Sequence, residues 1–434
     1  MNLEKEDMYQ IDGPLDMTVF FGFCGIKGYN HLRYPEAHPH SPWSMLELKR
    51  TPETNIFDMI REKDLLIHLP YESFDESVVN FLYSAANDKD VLAIKQTLYR
   101  VSSSSPVVQA LEKAVQNGKQ VTVLMEVKAR FDEANNILMA RRLEKAGAHV
   151  IYGLVGLKTH SKCTLVIRRE KDGIRRYVHV ATGNYNASTA KLYTDLGILT
   201  CNDRFGIDAS AFFNLLSGYS DPPIWDSFIV APINLRQRCI ELIDREIHFA
   251  KNGEDAHMIA KMNSLLDKGI IEKLYEASQA GVKIELIVRG ICVLIPGIPG
   301  VSDNITVRSI VGRFLEHSRI FWFRNGGREE LYISSADWMP RNLNDRVELM
   351  VPIEDPEIKR RLKQMVDIEL SDNQKAHIMQ ADGTWLKTIS AENQLCAQEY
   401  FQKIAEKRDA EDEMTLAQKL EPYTPVLGHG DGSD

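Results

Sequence analysis

Two histidines in this 434-residue chain are each followed by a serine and then by a base. The tripeptide H-S-K begins at His160, and the tripeptide H-S-R begins at His317. A neutral imidazole can attack phosphorus and hold the phosphoryl group through an N–P bond, which divides one displacement into two easier steps. Lys162 and Arg319 would stabilise the negative charge on the phosphoryl oxygens. The tripeptides therefore predict one paired site for phosphoryl transfer, in which the second histidine acts as general acid or base.

Each histidine also needs a group that fixes its tautomer. Loops of small residues follow both tripeptides: A-T-G-N-Y-N leads to Asp195, and S-S-A-D-W leads to Asp345 and Glu348. A carboxylate that accepts a hydrogen bond from one ring nitrogen orients the other nitrogen toward the substrate. Asp195 and Glu348 are the predicted orienting groups. The flanking bases should also lower the pKa of each imidazole, which favours the unprotonated nucleophile near neutral pH.

The two tripeptides belong to a duplicated chain. L-I-H-L-P-Y around Pro70 matches F-I-V-A-P-I around Pro232, 162 positions later. A-V-Q-N-G-K-Q-V-T-V around Gly118 matches A-S-Q-A-G-V-K-I-E-L around Gly281, 163 positions later, and the histidines are 157 positions apart. Solenoid repeats are far shorter than this offset. The self-similarity therefore predicts two homologous domains that each contribute one histidine.

Strands and helices alternate around the first histidine. Residues 121–127 form an almost continuous apolar run, typical of a buried parallel strand. Asp132 is predicted to cap a helix through I-L-M-A-R-R-L-E-K, which should end at Gly147. K-D-G between the apolar runs 163–167 and 177–181 indicates a hairpin. This alternation predicts an α/β domain.

The same plan recurs from about residue 228. A helix is expected at 235–249, a strand at 284–288, and a hairpin at N-G-G near Asn325. The predicted fold class is α/β, with two tandem α/β domains related by pseudo-two-fold symmetry. The expected division is a leading segment 1–46, domains 47–227 and 228–412, and a charge-dense tail 413–434 that should be disordered.

Composition excludes several classes of protein. The net charge of −9 argues against nonspecific nucleic-acid binding, which needs a basic face, but it allows a focused positive pocket for a polyanionic small substrate. The longest apolar stretch, 291–301, is interrupted by proline and glycine, so no transmembrane segment is expected. Six cysteines without paired spacing and an acidic N-terminus without a secretory signal predict reduced thiols in a cytoplasmic protein.

The His-x-Lys pair, the following G-N-Y-N loop and the duplication resemble the phospholipase D superfamily. The resemblance implies a phospholipase D-like fold, with one histidine as nucleophile and its partner across a pseudo-two-fold axis as acid. The full pattern of that superfamily has an aspartate five residues after the base. This chain has Ile167 and Arg324 at those positions. A phosphodiesterase is therefore an alternative function, and the missing aspartates argue against it.

Longer motifs resemble one branch of that superfamily, the type-1 polyphosphate kinases. They include I-K-Q-T-L-Y-R-V, E-V-K-A-R-F-D-E-A-N-N, G-L-K-T-H-S-K, T-G-N-Y-N-A-S-T-A-K-L-Y-T-D-L, K-M-N-S-L-L-D, L-I-V-R-G-I-C and R-F-L-E-H-S-R-I, over most of residues 50–350. The resemblance implies reversible transfer of the terminal phosphate of ATP to inorganic polyphosphate through a phosphohistidine at His160. It also implies ATP contacts at Tyr193, Arg289 and His317.

The resemblance further implies a magnesium-associated site at Arg100 and Arg130. A guanidinium has no lone pair, so these arginines should grip the phosphates that carry Mg²⁺ instead of ligating the ion. ATP, ADP and polyphosphate are the implied partners. A homo-oligomer is implied for the full-length form, in the cytoplasm and at the periphery of the inner membrane when it is part of a complex.

Members of this family carry an N-terminal helical domain and a head domain before the two repeats. The motif I-D-G-P-L-D-M, within residues 1–46, resembles the end of the head domain, so this segment is interpreted as its remnant. An inactive truncated form is therefore a further alternative to the enzyme.

Overall fold

The computed structural model describes residues 4–46, 54–102, 104–127, 133–218 and 224–420. The chain divides into two compact units, residues 1–38 and residues 39–434. In the first unit, short 3-10 helices span Lys5–Asp7, Met17–Gly25 and Asn30–Leu32, and none of them has a buried side chain. Both histidines and both repeats lie in the second unit.

The first repeat is built on a mixed sheet. Its strands are β1 (Leu65–Leu69), β2 (Val91–Leu98), β3 (Gln120–Met125), β4 (His149–Tyr152), β5 (Lys158–Thr159), β6 (Cys163–Glu170), β7 (Gly173–Ala181) and β8 (Tyr193–Thr200). All of these strands except β5 form one sheet, in the order β1-β8-β7-β6-β2-β3-β4. Strands β2, β3 and β4 are parallel, whereas β6, β7 and β8 form an antiparallel meander.

The helices of the first repeat are α1 (Ile56–Glu62), α2 (Asn80–Asn87), α3 (Pro106–Gln116), α4 (Glu133–Ala146) and α5 (Asp203–Leu216). The predicted end of α4 at Gly147 is confirmed, because Gly147 has a φ of 106°, a left-handed value that favours glycine. Asp132, the predicted cap, lies outside the described residues. The predicted buried strand appears as β3, and the K-D-G hairpin connects β6 to β7.

The second repeat repeats this arrangement. Its strands are β9 (Ile229–Ala231), β10 (His257–Met262), β11 (Lys283–Val288), β12 (Ile305–Ile310), β13 (Leu315–Glu316), β14 (Ile320–Phe323), β15 (Glu330–Ser334), β16 (Arg346–Pro352), β17 (Ala376–Met379) and β18 (Trp385–Lys387). Strand β9 pairs with β16, and the order continues β15-β14-β10-β11-β12 before β17 and β18. From β9 to β12, this order matches that of the first sheet strand by strand.

The helices of the second repeat are α6 (Leu235–Lys251), α7 (Lys268–Gln279), α8 (Pro340–Asn344), α9 (Pro356–Leu370) and α10 (Ala397–Leu420). The predicted helix at 235–249 is α6, and the predicted strand at 284–288 is β11. The N-G-G hairpin joins β14 to β15, and Gly326 and Gly327 both have positive φ values there. Residues 219–223, next to the predicted boundary between the repeats, lie outside the described residues.

The two sheets exchange short strands. Strand β5 of the first repeat pairs in parallel with β16 of the second, and β13 of the second pairs in parallel with β8 of the first. Because each repeat gives the other an equivalent two-residue strand, the exchange has the reciprocity expected of a pseudo-two-fold axis. The predicted α/β fold class, with two tandem repeats, is confirmed.

The C-terminal helix differs from one expectation. Disorder was predicted from residue 413, but α10 continues to Leu420. Residues 413–420 read E-M-T-L-A-Q-K-L, and all of them except threonine are strong helix formers. Residues 421–434 lie outside the described residues.

The structure also bears on the membrane and cysteine expectations. Within the described ranges, no helix combines the length and apolar character that a membrane crossing requires. All six cysteines fall in the described part of the chain, and each is a free thiol.

Candidate active site

The exchanged strands place each histidine opposite a carboxylate of the other repeat. His160 follows β5, and Glu348 follows Val347, whose backbone is paired with the last residue of β5. The N–H of His160 donates to the carbonyl oxygen of Val347 at 2.9 Å, which fixes this register. His317 and Asp195 stand in the same relation through β13 and β8. Both pairs therefore cross the boundary between the repeats.

The ring contacts follow this register. Nδ1 of His160 lies 2.9 Å from both carboxylate oxygens of Glu348, and Nδ1 of His317 lies 2.9 Å from both carboxylate oxygens of Asp195. An ionised carboxylate only accepts hydrogen bonds, so each Nδ1 carries the proton and each Nε2 of a neutral ring carries the lone pair. The two predicted orienting carboxylates thus contact the histidines, each in the opposite repeat.

Glu348 is held by two further donors. The hydroxyl of Ser335 donates to its Oε2 atom, and the side-chain amide of Asn342 donates to its Oε1 atom at 2.6 Å. Its side chain is completely buried. Burial raises the pKa of Glu348 above its ordinary value, although Lys162 and the Ser335 hydroxyl act in the opposite direction.

Asp195 depends on the small-residue loop for its position. The hydroxyl of Thr182 donates to its Oδ1 atom at 2.6 Å. A Cβ atom at Gly183 would lie 2.2 Å from Oδ2 of Asp195, so only glycine fits at this position. Burial acts to raise the pKa of Asp195, but the charge and hydrogen bond of His317 outweigh it, and the pKa is lowered.

The surroundings of both imidazoles favour the neutral form. Burial lowers the pKa of His160 well below its ordinary value, and the charges of Lys162, Arg346 and Arg319 lower it further. Burial also lowers the pKa of His317, and Arg319 adds to this effect while Asp195 opposes it. The direction agrees with the expectation from the flanking bases, but burial is the larger cause.

The two bases fold back onto their own tripeptides. Nζ of Lys162 donates to the carbonyl oxygen of His160, and Nη1 of Arg319 donates to that of His317 at 2.7 Å. Burial lowers the pKa of Lys162 to about 7. Arg319 is held by Asp337, whose two oxygens accept from Nε at 3.2 Å and from Nη2 at 3.1 Å. Burial acts against the charge of Arg319, but Asp337 outweighs it and raises its pKa.

The two histidines differ at Nε2. Nη1 of Arg319 lies 3.2 Å from Nε2 of His317, so that lone pair already accepts a hydrogen bond. For Nε2 of His160, the described part of the chain provides no hydrogen-bond partner. The ring of Tyr99 packs edge-on against His160, with centroids 4.8 Å apart. The lone pair of His160 is therefore the one available for attack.

The residues predicted to contact ATP lie together at the His317 end. The rings of Tyr193 and His317 have centroids 5.1 Å apart. Nε of Arg289 donates to the carbonyl oxygen of Glu316 at 3.2 Å, and its Nη2 donates to Oδ1 of Asn263 at 2.7 Å. Arg289 thus contacts the residue that precedes His317.

The two arginines predicted at a magnesium-associated site have different outcomes. The guanidinium of Arg100 lies 5.7 Å from the ring centroid of Tyr99, beside His160. Arg130 lies outside the described residues. In the described ranges, no group of three histidine, cysteine or acidic side chains could hold a metal ion. Mg²⁺ prefers oxygen ligands, so the arginines and lysine of this site do not fit direct ligation of the ion.

Sequence reasoning did not select three residues near the histidines. Tyr99 precedes Arg100, and Asp337 lies in the S-S-A-D-W loop, so both were within motifs already noted. Arg346 is paired with Lys158 across the exchanged strands, two residues before each member of the first histidine–carboxylate pair. The signal that could have found these residues is their nearness in sequence to predicted site residues: Arg100 for Tyr99, and Glu348 for Arg346.

The two α/β repeats exchange strands and bring two carboxylate-bound histidines to their shared boundary. Two family models match this chain. The model "Polyphosphate kinase C-terminal domain 1" matches residues 55–222, and "Polyphosphate kinase C-terminal domain 2" matches residues 228–398. The chain belongs to the polyphosphate kinase family.

Individual relatives agree with this assignment. The chain is 56% identical over 378 residues to a polyphosphate kinase of Halalkalibacterium halodurans, covering 87% of this chain and 53% of the relative. It is 51% identical over 393 residues to one from Bacillus anthracis, covering 90% and 55%. The crystal structure of polyphosphate kinase from Porphyromonas gingivalis superposes with a TM-score of 0.79 at 38% identity, covering 87% and 57%. The chain spans about half the length of the curated relatives it matches.

Proposed function

We propose that this chain carries the phosphoryl-transfer centre of a polyphosphate kinase, which moves the terminal phosphate of ATP reversibly to inorganic polyphosphate through a phosphohistidine at His160. The single observation that carries this proposal is the state of the His160 ring. Its Nδ1 atom is bound to Glu348 at 2.9 Å, its pKa is lowered by burial and by nearby cations, and its Nε2 atom faces no described hydrogen-bond partner.

In the first step, the Nε2 lone pair of His160 attacks the γ-phosphorus of ATP. The N–P bond forms as the bond from the γ-phosphorus to the β–γ bridging oxygen breaks, and ADP leaves with that electron pair. The proton on Nδ1 stays in its hydrogen bond to Glu348, so the positive charge that develops on the ring is stabilised. In the second step, a terminal oxygen of polyphosphate attacks the same phosphorus and the N–P bond breaks.

Three cationic side chains near the histidines could neutralise the negative charge on the transferred phosphoryl group. Phosphoryl transfer depends mainly on positioning and on neutralising the equatorial oxygens. Lys162 and Arg319 flank the histidines, and Arg346 is close enough to affect the pKa of His160 and of Lys162. The pKa of Lys162, at about 7 in the protein without phosphate, should rise when a phosphate dianion arrives.

His317 is proposed as the general acid or base and as an ATP contact, with Tyr193 and Arg289. The hydrogen bond from its Nδ1 atom to Asp195 orients it as Glu348 orients His160, and its Nε2 atom accepts from Arg319. Proton transfer by a positioned histidine contributes about 10²–10⁴-fold to a rate. Arg100 and Arg130 are proposed to bind the phosphates with which Mg²⁺ enters, since the described side chains do not fit direct ligation of the ion.

ATP, ADP and polyphosphate are the proposed partners. A homo-oligomeric full-length form, a cytoplasmic location and peripheral association with a membrane complex belong to the same proposal. Size-exclusion chromatography coupled to light scattering tests the first of these.

Phosphoenzyme labelling tests the proposed function. The chain is incubated with ATP labelled in the γ-phosphate, and the labelled peptide is mapped under alkaline conditions. The expected result is a label on His160, no label in His160→Ala, and weak labelling at most in His317→Ala. A label that persists in His160→Ala would refute the proposal. Hydrolysis of a phosphodiester without ATP would support the phosphodiesterase, and a folded chain with neither activity would support an inactive form.

A further inference from the structure

The short strand that precedes His317 is held by the C-terminal helix. The side-chain amide of Gln398, in the first turn of α10, pairs with Phe314 in both directions: Oε1 accepts from its N–H at 3.0 Å, and Nε2 donates to its carbonyl oxygen at 2.9 Å. Nε2 also donates to Oε1 of Glu316 at 2.6 Å. Gln398 is itself buried. It therefore binds this segment much as a neighbouring strand would.

Glu316 joins this contact to both repeats. Its Oε2 atom accepts from Nζ of Lys261 on β10 at 2.7 Å and from the hydroxyl of Thr194 on β8 at 2.8 Å. Lys261 also pairs with Glu369 on α9. Glu316 is only 3% exposed, so its charge depends on these partners. One buried carboxylate next to His317 thus connects two strands and two helices.

Aromatic packing and small residues support the same contact. The ring of Phe401, one turn after Gln398, lies 5.5 Å from that of Tyr71, which lies 5.5 Å from that of Phe314. A Cβ atom at Gly312 would lie 2.5 Å from Oε1 of Gln398, so glycine is needed for the approach. The start of α10 therefore contacts the segment before His317 through polar and aromatic groups.

The first histidine is supported in a different way. The position equivalent to Glu316 is Thr159, whose N–H donates to Oε2 of Glu126 at 2.8 Å within the first repeat. Glu126 follows β3, and among the described residues no hydrogen bond, ion pair or ring contact joins α10 to β5. The dependence on α10 is thus a property of the His317 side of the site.

We propose that Gln398 and Glu316 are positioning residues, through which the docking of α10 sets the placement of His317. The proposal rests on the proposed function for its activity readout. If the amide of Gln398 is lost, β13 is released on the side of α10, and His317 shifts relative to Asp195 and the phosphate. A displacement of about 1 Å can cost about 10²-fold in rate.

The test compares Gln398→Met, which keeps the side-chain length but removes the amide, with Glu399→Gln. Glu399 is the next residue of α10 and is exposed, so its variant is the matched control. Gln398→Met should lower kcat by about 10²-fold with a small change in KM, whereas Glu399→Gln should retain wild-type values. Labelling with ¹⁵N-histidine should show the downfield Nδ1–H signal of His317 broadened in Gln398→Met and that of His160 unchanged.

A second variant, Gln398→Glu, distinguishes the loss of this hydrogen bond from a general loss of folding. It places a carboxylate against Glu316, and one shared proton would restore the hydrogen bond, so its deficit should shrink from about pH 8 to about pH 6. The deficit of Gln398→Met should not change with pH. The titratable and charged groups that interact with Glu316 are Lys261, Glu369, Tyr71 and Arg289. Asp372 acts on Glu369, and Cys396 and Arg313 act on Tyr71.

Two results would overturn the positioning role. One is an unchanged His317 signal and kcat in Gln398→Met. The other is a pH-independent loss in Gln398→Glu. Should the wild-type chain lack transferase activity, the proposed function fails instead, while the histidine signals still decide whether Gln398 positions His317.

Discussion

The change Glu348→Gln isolates the charge that orients His160, because it alters one atom and preserves the shape of the side chain. Both oxygens of Glu348 lie 2.9 Å from Nδ1 of His160, but the hydroxyl of Ser335 donates to Oε2 and the amide of Asn342 donates to Oε1. The amide oxygen of the new side chain should take the Oε2 position, where it can accept from both Nδ1 and Ser335. Its NH₂ group then faces Asn342, whose own Oδ1 atom is buried without a partner and becomes the acceptor after a flip of that amide.

This arrangement keeps an acceptor for the Nδ1–H group and so preserves the tautomer of His160, while it removes the charge of that acceptor and one of the two oxygens near Nδ1. Hydrogen bonds to charged groups contribute about 1.5–3 kcal/mol, and neutral ones about 0.5–1.5 kcal/mol. The difference, about 1–1.5 kcal/mol, corresponds to about a tenfold slower phosphorylation of His160. If the NH₂ group faced the ring instead, the wrong tautomer would form and the loss would be about 10⁴-fold.

Rapid-quench measurement of phosphoenzyme formation gives this rate directly. Glu354→Gln is the matched control, because Glu354 is an exposed carboxylate six positions after Glu348 in the chain, and its partners among the described residues are Arg204 and Asn202. Wild-type labelling in Glu348→Gln would contradict the role of Glu348. A loss near 10⁴-fold would contradict the assignment of its two oxygens.

Three further predictions concern the surroundings of the histidines. Burial lowers the pKa of His160 and of His317, so below about pH 6.5 the unfolded chain binds protons at these residues that the folded chain does not. The free energy of unfolding, measured by urea titration, should therefore fall by about 1.4 kcal/mol per histidine for each unit by which the pH is lowered. Asp337→Asn leaves the guanidinium of Arg319 buried without its charged partner, and should lower the free energy of unfolding by about 3–5 kcal/mol, also measured in urea. Gly183→Ala displaces the carboxylate on His317 and should lower kcat by about 10²-fold in steady-state assays of the transfer reaction.

A specific result would contradict each of these three predictions. Substituting both histidines with glutamine should reduce the slope between about pH 5 and about pH 6.5 to about half, because burial also lowers the pKa of His68 and of His179 and their contributions remain. An unchanged slope would exclude His160 and His317 as contributors. An Asp337→Asn protein as stable as the wild type would mean that Arg319 finds another acceptor. Normal turnover in Gly183→Ala would show that the loop can move without affecting His317.

Much of the fold follows from the duplication and from local sequence signals. Helix α6, strand β11 and both hairpins were predictable because apolar periodicity and turn residues act over a few positions. The same signals did not predict the crossed pairs of histidine and carboxylate. Those pairs depend on β5 and β13, and a two-residue strand is too short to show any periodicity.

The energetics of the site also required the three-dimensional structure. The flanking bases correctly indicated a lowered pKa for His160, but burial, its largest cause, depends on packing between the repeats. The contact of Gln398 with Glu316 joins residues 82 positions apart in the chain, so no local motif reveals it. The role of Arg130 in phosphate binding stays a prediction from the sequence.

Because Nδ1 of His160 is bound to Glu348, Nε2 is the atom of this ring that we propose to attack phosphorus. The position of the phosphoryl group on the ring can be determined by ³¹P–¹⁵N NMR of the phosphoenzyme made with ¹⁵N-histidine. We expect one phosphohistidine, at His160, with phosphorus on Nε2. Phosphorus on Nδ1, or on the ring of His317, would contradict this expectation.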